Sequence, residues 1–252
     1  MGLVESEALV LRTYNLAEAD KIVVCLTRKA GVVRAVARGA RRLKSKYGAG
    51  LEPYTLLALS FYEKEGKELH SLREAEILRS YFHLAQSPET MKTLAYMGEL
   101  VLEFAPPHEP NEKLFRMVNA CLEALAGSQD DMRAITRYFE VWLLKLAGFL
   151  PNIRSCADCD RRLRGEGVVY LNVDSRARCR ACSKGQGTPL SEEAHAQIDA
   201  AQRLSPGDFA RGMRAVKEGS REEVEQVARR LIERILEREL RAQGPGMSPQ
   251  AG

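Results

Sequence analysis

Four cysteines form the strongest chemical pattern in the sequence. They occur as two CxxC pairs, Cys156/Cys159 and Cys179/Cys182, separated by 19 residues. Each pair brings two thiolates onto one side of a tight turn, and two pairs complete a tetrahedral shell of the kind found in zinc ribbons. A shell of four thiolates leaves no position for water or substrate. The sequence therefore predicts one zinc ion with a structural role.

Two other interpretations of the cysteines compete with zinc. A pair of disulfides requires an oxidising compartment, which a cytoplasmic chain does not have. A redox dithiol requires a single CxxC pair in a βαβ context, which the sequence lacks. The two remaining cysteines, Cys25 and Cys121, lie in an apolar run and on the apolar face of a predicted helix. We expect both to be buried packing residues.

A second candidate site is a stretch of positive charge near the N-terminus. Nine Lys and Arg residues and no acidic residue fall within residues 21–51, which leaves −5 for the rest of a chain whose net charge is +4. A positive field confined to one surface attracts polyanions such as nucleic acid. A solvated basic loop is the alternative. The predicted phosphate contacts are Arg34, Arg38, Arg41, Arg42, Lys44 and Lys46, with Tyr47 or Tyr54 available to stack a base.

The sequence contains no recognisable catalytic motif. The four histidines are isolated, and no HExxH, GxSxG, Walker-type or GxGxxG pattern occurs. The prediction is therefore that the protein is not an enzyme. The hydrophobic fraction of 45% is that of a folded protein. No signal peptide and no apolar run near the ~20 residues of a membrane span are present, so we expect a cytoplasmic protein.

Short strand candidates fill the first 80 residues. Gly or charged residues separate apolar, β-branched runs, a pattern typical of small barrels. The sequence predicts a five-stranded barrel of the oligonucleotide-binding (OB) type as a domain over residues 1–80, with an SH3-like barrel as the alternative. The strand candidates are residues 3–12, 21–27, 31–37, 56–62 and 69–72.

Beyond residue 80 the hydrophobic period becomes that of helices. Three consecutive amphipathic stretches predict an all-α bundle within a helical domain, residues 81–252. The cysteines interrupt it as a zinc-ribbon-like insertion at about residues 152–186, and the tail from about residue 244 is predicted to be disordered. The fold class is therefore α+β. The predicted helices run from Ser87 to Pro106, over 111–126 and 131–148, then over 191–203 and 221–242, the last with a capping box at Ser220–Glu223.

Blocks of sequence in a fixed order connect the basic stretch to the cysteines. These blocks are Ala8–Leu11, Leu16–Val24, Gly31, Ala37–Arg42 with Lys44–Lys46, Leu51–Tyr54, Glu99–Leu100, Arg137–Glu140 with Leu143–Leu144, and Gly148–Pro151 leading into the first cysteine pair. On these blocks the chain resembles the RecO family of bacterial recombination mediators over nearly its full length.

The resemblance implies a barrel, a helical domain and a zinc-binding insertion. The implied activity is non-catalytic: binding single- and double-stranded DNA, annealing complementary strands, and helping RecA replace single-strand binding protein (SSB) during recombinational repair. The implied partners are RecR and the acidic C-terminal tail of SSB, with RecA acting indirectly, and the implied location is the nucleoid. A zinc-ribbon scaffold that acts mainly by protein contacts is the alternative function.

The third predicted helix is the candidate site for the SSB tail. A tail that ends in acidic and apolar residues needs a cation beside an apolar groove. Arg133, Arg137 and Trp142 are predicted to provide it, together with apolar neighbours on the same helix. The alternative is that Arg137 pairs internally with Glu140 or Glu103. In the insertion, Arg176, Arg178 and Arg180 are candidates to extend the DNA-binding surface.

Overall fold

The protein is described by a computed structural model, which covers residues 2–63, 66–106 and 109–242. The tail from residue 244, predicted to be disordered, lies outside these ranges. The chain forms two compact units, residues 1–132 and 133–252. No helix in the described part of the chain is both long enough and apolar enough to span a membrane.

Five strands form a closed barrel in the first unit. They are β1 (Gly2–Leu16), β2 (Asp20–Thr27), β3 (Gly31–Ala37), β4 (Thr55–Glu63) and β5 (Leu69–Ser80). Their order around the barrel is β1-β2-β3-β5-β4, and only the β3–β5 pair is parallel. The long strand β1 pairs with both β2 and β4, which closes the sheet. This topology is that of an OB-fold, so the five-stranded prediction is confirmed and the SH3-like alternative is wrong.

The barrel interior is filled by alternate residues of each strand. Val33, Ala35 and Ala37 of β3 point inward, while Arg34 between them is exposed. Cys25 lies in this core, and burial raises the pKa of its thiol to about 12, as expected for a packing residue. Strand β5 ends at Ser80, eight residues beyond its predicted end at Leu72. The sequence pattern did not indicate these residues, because most of them face solvent and show no apolar alternation.

Gly31 shows how tightly this unit packs. Its φ is +65°, and a Cβ added at this position would lie 2.4 Å from the carbonyl oxygen of Glu109. The start of β3 therefore meets the backbone of the segment before the second helix directly. Only glycine accepts both the left-handed conformation and this close approach.

Two helices complete the first unit, α1 (Pro88–Phe104) and α2 (Glu112–Gly127). Ser87 occupies the predicted N-cap of α1, but its side chain makes no capping hydrogen bond. The N-cap of α2 is Asn111, whose Oδ1 accepts a hydrogen bond from the backbone N–H of Leu114. The third predicted helix falls mainly in the second unit.

The second unit contains five helices and a small sheet in the part of the chain that the structure describes. Its elements are α3 (Met132–Leu146), β6 (Val169–Leu171), β7 (Ala177–Arg178), α4 (Arg180–Ser183), β8 (Thr188–Leu190), α5 (Glu192–Ala201), α6 (Pro206–Met213) and α7 (Glu218–Ala242). The aromatic ring of Tyr138 on α3 lies 5.8 Å from that of Phe209 on α6, measured between ring centroids. These rings lie in the core of this unit.

The predicted capping box at Ser220–Glu223 is wrong. Helix α7 begins at Glu218, so Ser220 already lies within it. The Glu223 carboxylate instead accepts a hydrogen bond from the backbone N–H of Ser191 at the start of α5, and the Ser220 hydroxyl donates to Glu193. The two residues therefore join α7 to the N-terminus of α5.

Candidate metal centre and nucleic-acid interface

The structure brings the four paired cysteines together. The Sγ atoms of Cys156, Cys159, Cys179 and Cys182 all lie within 4.8 Å of one another. The distance from Cys159 Sγ to Cys179 Sγ is 3.9 Å. Four thiolates bound to one zinc ion stand about 3.8 Å apart, since Zn–S bonds are about 2.3 Å long, whereas disulfide sulfurs stand about 2.05 Å apart. The cluster therefore fits a shared metal ion, and all four cysteines are free thiols in the structure.

Each cysteine pair lies on a tight turn. In the first turn the Asp160 N–H donates to the Cys156 carbonyl oxygen at 2.9 Å, and Asp160 adopts a φ of +57°. The second pair spans the start of α4, where the Ser183 N–H donates to the Cys179 carbonyl oxygen at 3.0 Å. The two turns are joined by the hydrogen bond from the Ala157 N–H to the Ala177 carbonyl oxygen at 2.8 Å.

A three-stranded sheet of order β7-β6-β8 supports these turns. Strand β7 leads directly into Cys179, and the side chains of Val169 and Leu171 on the central strand β6 are buried. Gly187, at the entry to β8, has a φ of +105°, and a Cβ there would lie 2.5 Å from the Leu171 carbonyl oxygen. Close approach of two backbones therefore requires glycine at this position.

Backbone N–H groups of the two turns donate hydrogen bonds to the sulfur of Cys156 and lower its pKa. Burial favours the protonated thiol, but N–H groups of Cys179, Asp158 and Cys159 outweigh it and lower the pKa of Cys156 to about 6. The N–H of Cys179 lies 3.4 Å from the Cys156 sulfur. Hydrogen bonds from neighbouring sulfurs raise the pKa of Cys182 to about 12. A metal ion replaces such thiol protons when it binds.

The arginines of the insertion hold the first turn. Arg178 pairs with Asp158, and Arg176 Nη2 donates to the Ala157 carbonyl oxygen at 3.0 Å. Arg161 lies 3.5 Å from Glu166. Of the three arginines considered for DNA binding in this region, Arg178 has a carboxylate partner, whereas Arg176 and Arg180 are exposed without one among the described residues.

The predicted phosphate contacts lie on one segment of the barrel. Arg34 is on β3, and the other five cations lie in the basic loop, residues 38–47, which follows that strand. The Gly39 N–H donates to Asp20 Oδ1 at 2.7 Å, and the Arg41 N–H donates to the Ala19 carbonyl oxygen at 2.9 Å. The turn between β1 and β2 therefore anchors the loop. Asp20 is a positioning residue that the sequence did not reveal, because nothing local links it to Gly39.

The cations of the basic loop are exposed and lack acidic partners. Among the residues that the structure describes, no carboxylate pairs with the five loop cations, and Arg34 lies 3.8 Å from Glu68. Several other exposed cations in this unit pair with carboxylates, as in the pairs Arg28–Glu7 at 3.1 Å and Arg12–Glu99 at 3.2 Å. The charge is therefore concentrated on the surface formed by Arg34, Arg38, Arg41, Arg42, Lys44 and Lys46, called here the basic surface.

The two tyrosines considered for base stacking differ in their exposure. Tyr47 is 4% exposed and belongs to the barrel core, where its hydroxyl donates to the Leu72 carbonyl oxygen at 3.2 Å. Its assignment as a stacking residue is wrong, because the loop folds its C-terminal end back over the barrel. Tyr54 is half-buried in a cavity of about 300 Å³ lined by Leu11, Phe82 and Met91.

The candidate tail-binding residues on α3 differ in their surroundings. Arg133 has a side chain 70% exposed and pairs with Glu218 at 3.2 Å. The Arg137 side chain is 15% exposed and lies 3.0 Å from the buried Glu140, the arrangement expected for an internal pair. Trp142 is half-buried, and its Nε1–H donates to the Ala201 carbonyl oxygen at 2.7 Å. The apolar neighbours Ile135, Phe139 and Leu143 are buried, so they do not form an open groove.

Comparison with known proteins agrees with this architecture. The family model described as "Recombination protein O N terminal" matches residues 1–81, and "Recombination protein O C terminal" matches residues 85–243. The DNA repair protein RecO of Koribacter versatilis is 31% identical over 208 residues, covering 82% of this chain and 84% of that protein. The chain belongs to the RecO family.

Further RecO proteins are similar to this chain over most of its length. The DNA repair protein RecO of Anaeromyxobacter sp. (strain K) is 33% identical over 83% of this chain and 82% of its own length. That of Bifidobacterium animalis subsp. lactis is 38% identical over 63% of this chain and 66% of its own length. RecO membership associates the chain with DNA repair and recombination.

Proposed function

We propose that the protein is a non-catalytic recombination mediator that binds single- and double-stranded DNA and anneals complementary strands. In this role it helps to load RecA onto DNA coated with SSB. The observation that carries the proposal is the basic surface: six exposed cations on an OB barrel, five of them without a carboxylate partner among the described residues. Uncompensated cations displace the counterions of DNA, which is the main source of sequence-independent affinity.

The DNA-binding domain in this proposal is the barrel, residues 1–80, and the remaining residues form the helical domain. Arg and Lys contacts to phosphates position the nucleic acid and carry no sequence information. A mediator that acts on any sequence needs this kind of contact. Because the proposed contacts go only to the backbone, both single strands and duplexes can occupy the surface.

We propose that the cysteine cluster holds one zinc ion through Cys156, Cys159, Cys179 and Cys182. Four sulfur donors at tetrahedral spacing suit zinc and leave no open coordination position. The ion would fix the two turns to each other and take no part in chemistry on DNA. Its role is to order a segment that has little hydrophobic core of its own.

The proposed protein partners are RecR and the acidic C-terminal tail of SSB. For the tail, the proposed contact is the exposed Arg133, which would exchange its pairs with Glu218 and Glu225 for carboxylates of the tail, while Arg137 pairs with the buried Glu140. Exchange of Arg133 for Glu should weaken binding of a tail peptide about tenfold, with naked-DNA affinity unchanged. Fluorescence anisotropy with labelled peptide and DNA measures both. Equal loss of both affinities would contradict a separate tail site.

The test of DNA binding is reversal of charge on the basic surface. Arg38, Arg41 and Arg42 are replaced together by Glu, and affinity for a single-stranded oligonucleotide is measured at two salt concentrations. We expect a loss of at least about a hundredfold at low salt and a flatter salt dependence. The matched control replaces Lys92, Lys113 and Arg116 together by Glu. These residues are exposed on α1 and α2, and their replacement changes the net charge by the same amount.

If the control weakens binding as much as the loop variant, net charge rather than the basic surface attracts DNA. If neither variant changes affinity, DNA binds outside the basic surface. If the wild-type protein shows no salt-dependent DNA binding, the alternative function, a zinc-ribbon scaffold that acts by protein contacts, is favoured, since its basic loop would serve only solubility.

A further inference from the structure

An apolar side chain stands at the centre of the basic loop. Leu43 is 102% exposed relative to the reference value for leucine, whereas most other exposed large apolar residues in the described chain are only about half exposed. Its neighbours in sequence are Arg42 and Lys44, both exposed and without acidic partners among the described residues. Single exposed leucines are common on protein surfaces. A leucine that touches almost nothing and is flanked by free cations is a more specific arrangement.

The loop holds Leu43 in this exposed position. The Ser45 N–H donates to the Arg42 carbonyl oxygen at 2.9 Å, so Leu43 and Lys44 are the two central residues of a tight turn. On one side of this turn, the backbone hydrogen bond of Arg41 to Ala19 fixes the loop. On the other side, Lys46 Nζ donates to the Arg73 carbonyl oxygen at 2.5 Å. Because both sides are anchored, the side chain cannot reach the barrel core by a small movement.

We propose that Leu43 is a wedge that enters between neighbouring bases of DNA held on the basic surface and unstacks them. The proposal rests on the proposed function, because the cations must first bind the phosphates on either side of the inserted residue. Apolar side chains, leucine among them, play this part in proteins that kink DNA. Stacking by an aromatic residue of the loop is not available, since Tyr47 is buried.

The unstacking activity suits the proposed annealing of strands. Bases in a single strand stack on one another, and a stacked strand must rearrange before it pairs with its complement. A wedge fixed at the tip of a loop opens one base step at a time without reading its sequence, because every base has an apolar face. Leu43 therefore acts on the conformation of bound DNA, and the surrounding cations supply the affinity.

The test uses the full chain and oligonucleotides that carry 2-aminopurine, whose fluorescence rises when it leaves the stack. Wild-type protein should raise the fluorescence of both single-stranded and duplex probes at saturation. Leu43→Ala should lose most of this rise, while its DNA dissociation constant changes less than about threefold because phosphate contacts dominate affinity. Leu43→Phe, which keeps an apolar wedge, should retain the rise.

Val173→Ala is the matched control, since Val173 is 81% exposed and lies in the insertion, away from the basic loop in sequence. It should leave the fluorescence unchanged. Thermal unfolding should be the same for Leu43→Ala and wild type, because a fully exposed side chain contributes no packing.

A full fluorescence rise with Leu43→Ala, or wild-type binding with no rise, would overturn the wedge and leave the proposed function standing. Absence of salt-dependent DNA binding by the wild type would overturn both. A loop tip that is both basic and apolar could also enter a membrane, so binding of wild type and Leu43→Ala to phosphatidylglycerol vesicles is measured as well. Loss of vesicle binding by Leu43→Ala, with its DNA signal intact, would assign the leucine to a membrane surface.

Discussion

The basic loop and the cysteine segment, residues 152–186, are both rich in arginine, yet their charges are used differently. In the basic loop the cations face solvent without acidic partners among the described residues. In the cysteine segment, Arg178 pairs with Asp158, Arg161 with Glu166, and Arg154 with Asp199 at 3.3 Å, whereas the exposed Arg162, Arg164 and Arg180 have no carboxylate partner among the described residues. Acidic partners thus neutralise part of the positive charge of the cysteine segment, and among the described residues they neutralise none of that of the basic loop.

The two regions also differ in what keeps them ordered. The barrel has a continuous hydrophobic core that includes Val10, Leu57 and Phe61. The cysteine segment has short strands and two turns, with a few buried residues such as Leu163 and Val169. Burial of apolar side chains stabilises the barrel, whereas the proposed metal ion stabilises the cysteine segment. Substitutions in one region should therefore leave the other intact.

The largest effect is expected from Cys156→Ala, which removes one of four proposed zinc ligands. Structural zinc contributes about 10–16 kcal/mol in small zinc-binding peptides, so loss of a ligand should release the ion and loosen the cysteine segment. Metal analysis should fall from near one zinc per chain to a small fraction, with faster hydrogen exchange over residues 152–185. Cys121→Ala, which removes a buried thiol on α2, is the control that should retain the metal. A change in barrel exchange or DNA affinity with Cys156→Ala would contradict independent stabilisation.

Intermediate effects are expected where glycine permits backbone contact. Gly31→Ala should destabilise the barrel by about 2–4 kcal/mol, since it combines a left-handed φ with a Cβ 2.4 Å from a carbonyl oxygen. Gly187→Ala should loosen the cysteine segment and weaken metal retention in the same way. Chemical denaturation and metal release under chelator measure the two effects. Gly66→Ala, with a similar φ but no atom within 4 Å, should cost only the backbone strain. An equal loss of unfolding free energy in all three variants would show that the close backbone contacts do not add to the destabilisation.

Local patterns predicted the features that depend on local spacing. The cysteine cluster follows from two CxxC pairs, since each pair defines its own turn. The first four strands follow from runs of apolar residues that alternate or cluster within each run. The second half of β5 shows no such pattern, because Arg73, Glu74 and Glu76 face solvent. Helix α6 was missed although Ser205-Pro206 is a helix-start signal, because the helix has only eight residues.

Features that depend on tertiary contacts could not be predicted. Burial of Tyr47 results from the path of the loop back to the barrel and its hydrogen bond to Leu72. The contact of Glu223 with Ser191 joins residues 32 positions apart, whereas the capping-box pattern considers only four consecutive residues. The pairing of Arg178 with Asp158 likewise joins the two cysteine turns. In each case the residue type was recognised, and its partner lay too far away in sequence.

The smallest effect separates the two arginine-rich regions most directly. Log affinity falls as log salt concentration rises, and Arg42→Ala should make this slope shallower by about one, because each phosphate contact releases about 0.9 of a counterion. Arg178→Ala should leave this slope unchanged, since Arg178 already pairs with Asp158. Both variants remove one guanidinium, so the effect on net charge is the same. Fluorescence anisotropy titrations over a range of salt concentrations give both slopes. If Arg178→Ala lowered the slope as much as Arg42→Ala, the cysteine segment would contact DNA, and compensation by an acidic neighbour would not distinguish a structural arginine from a binding one.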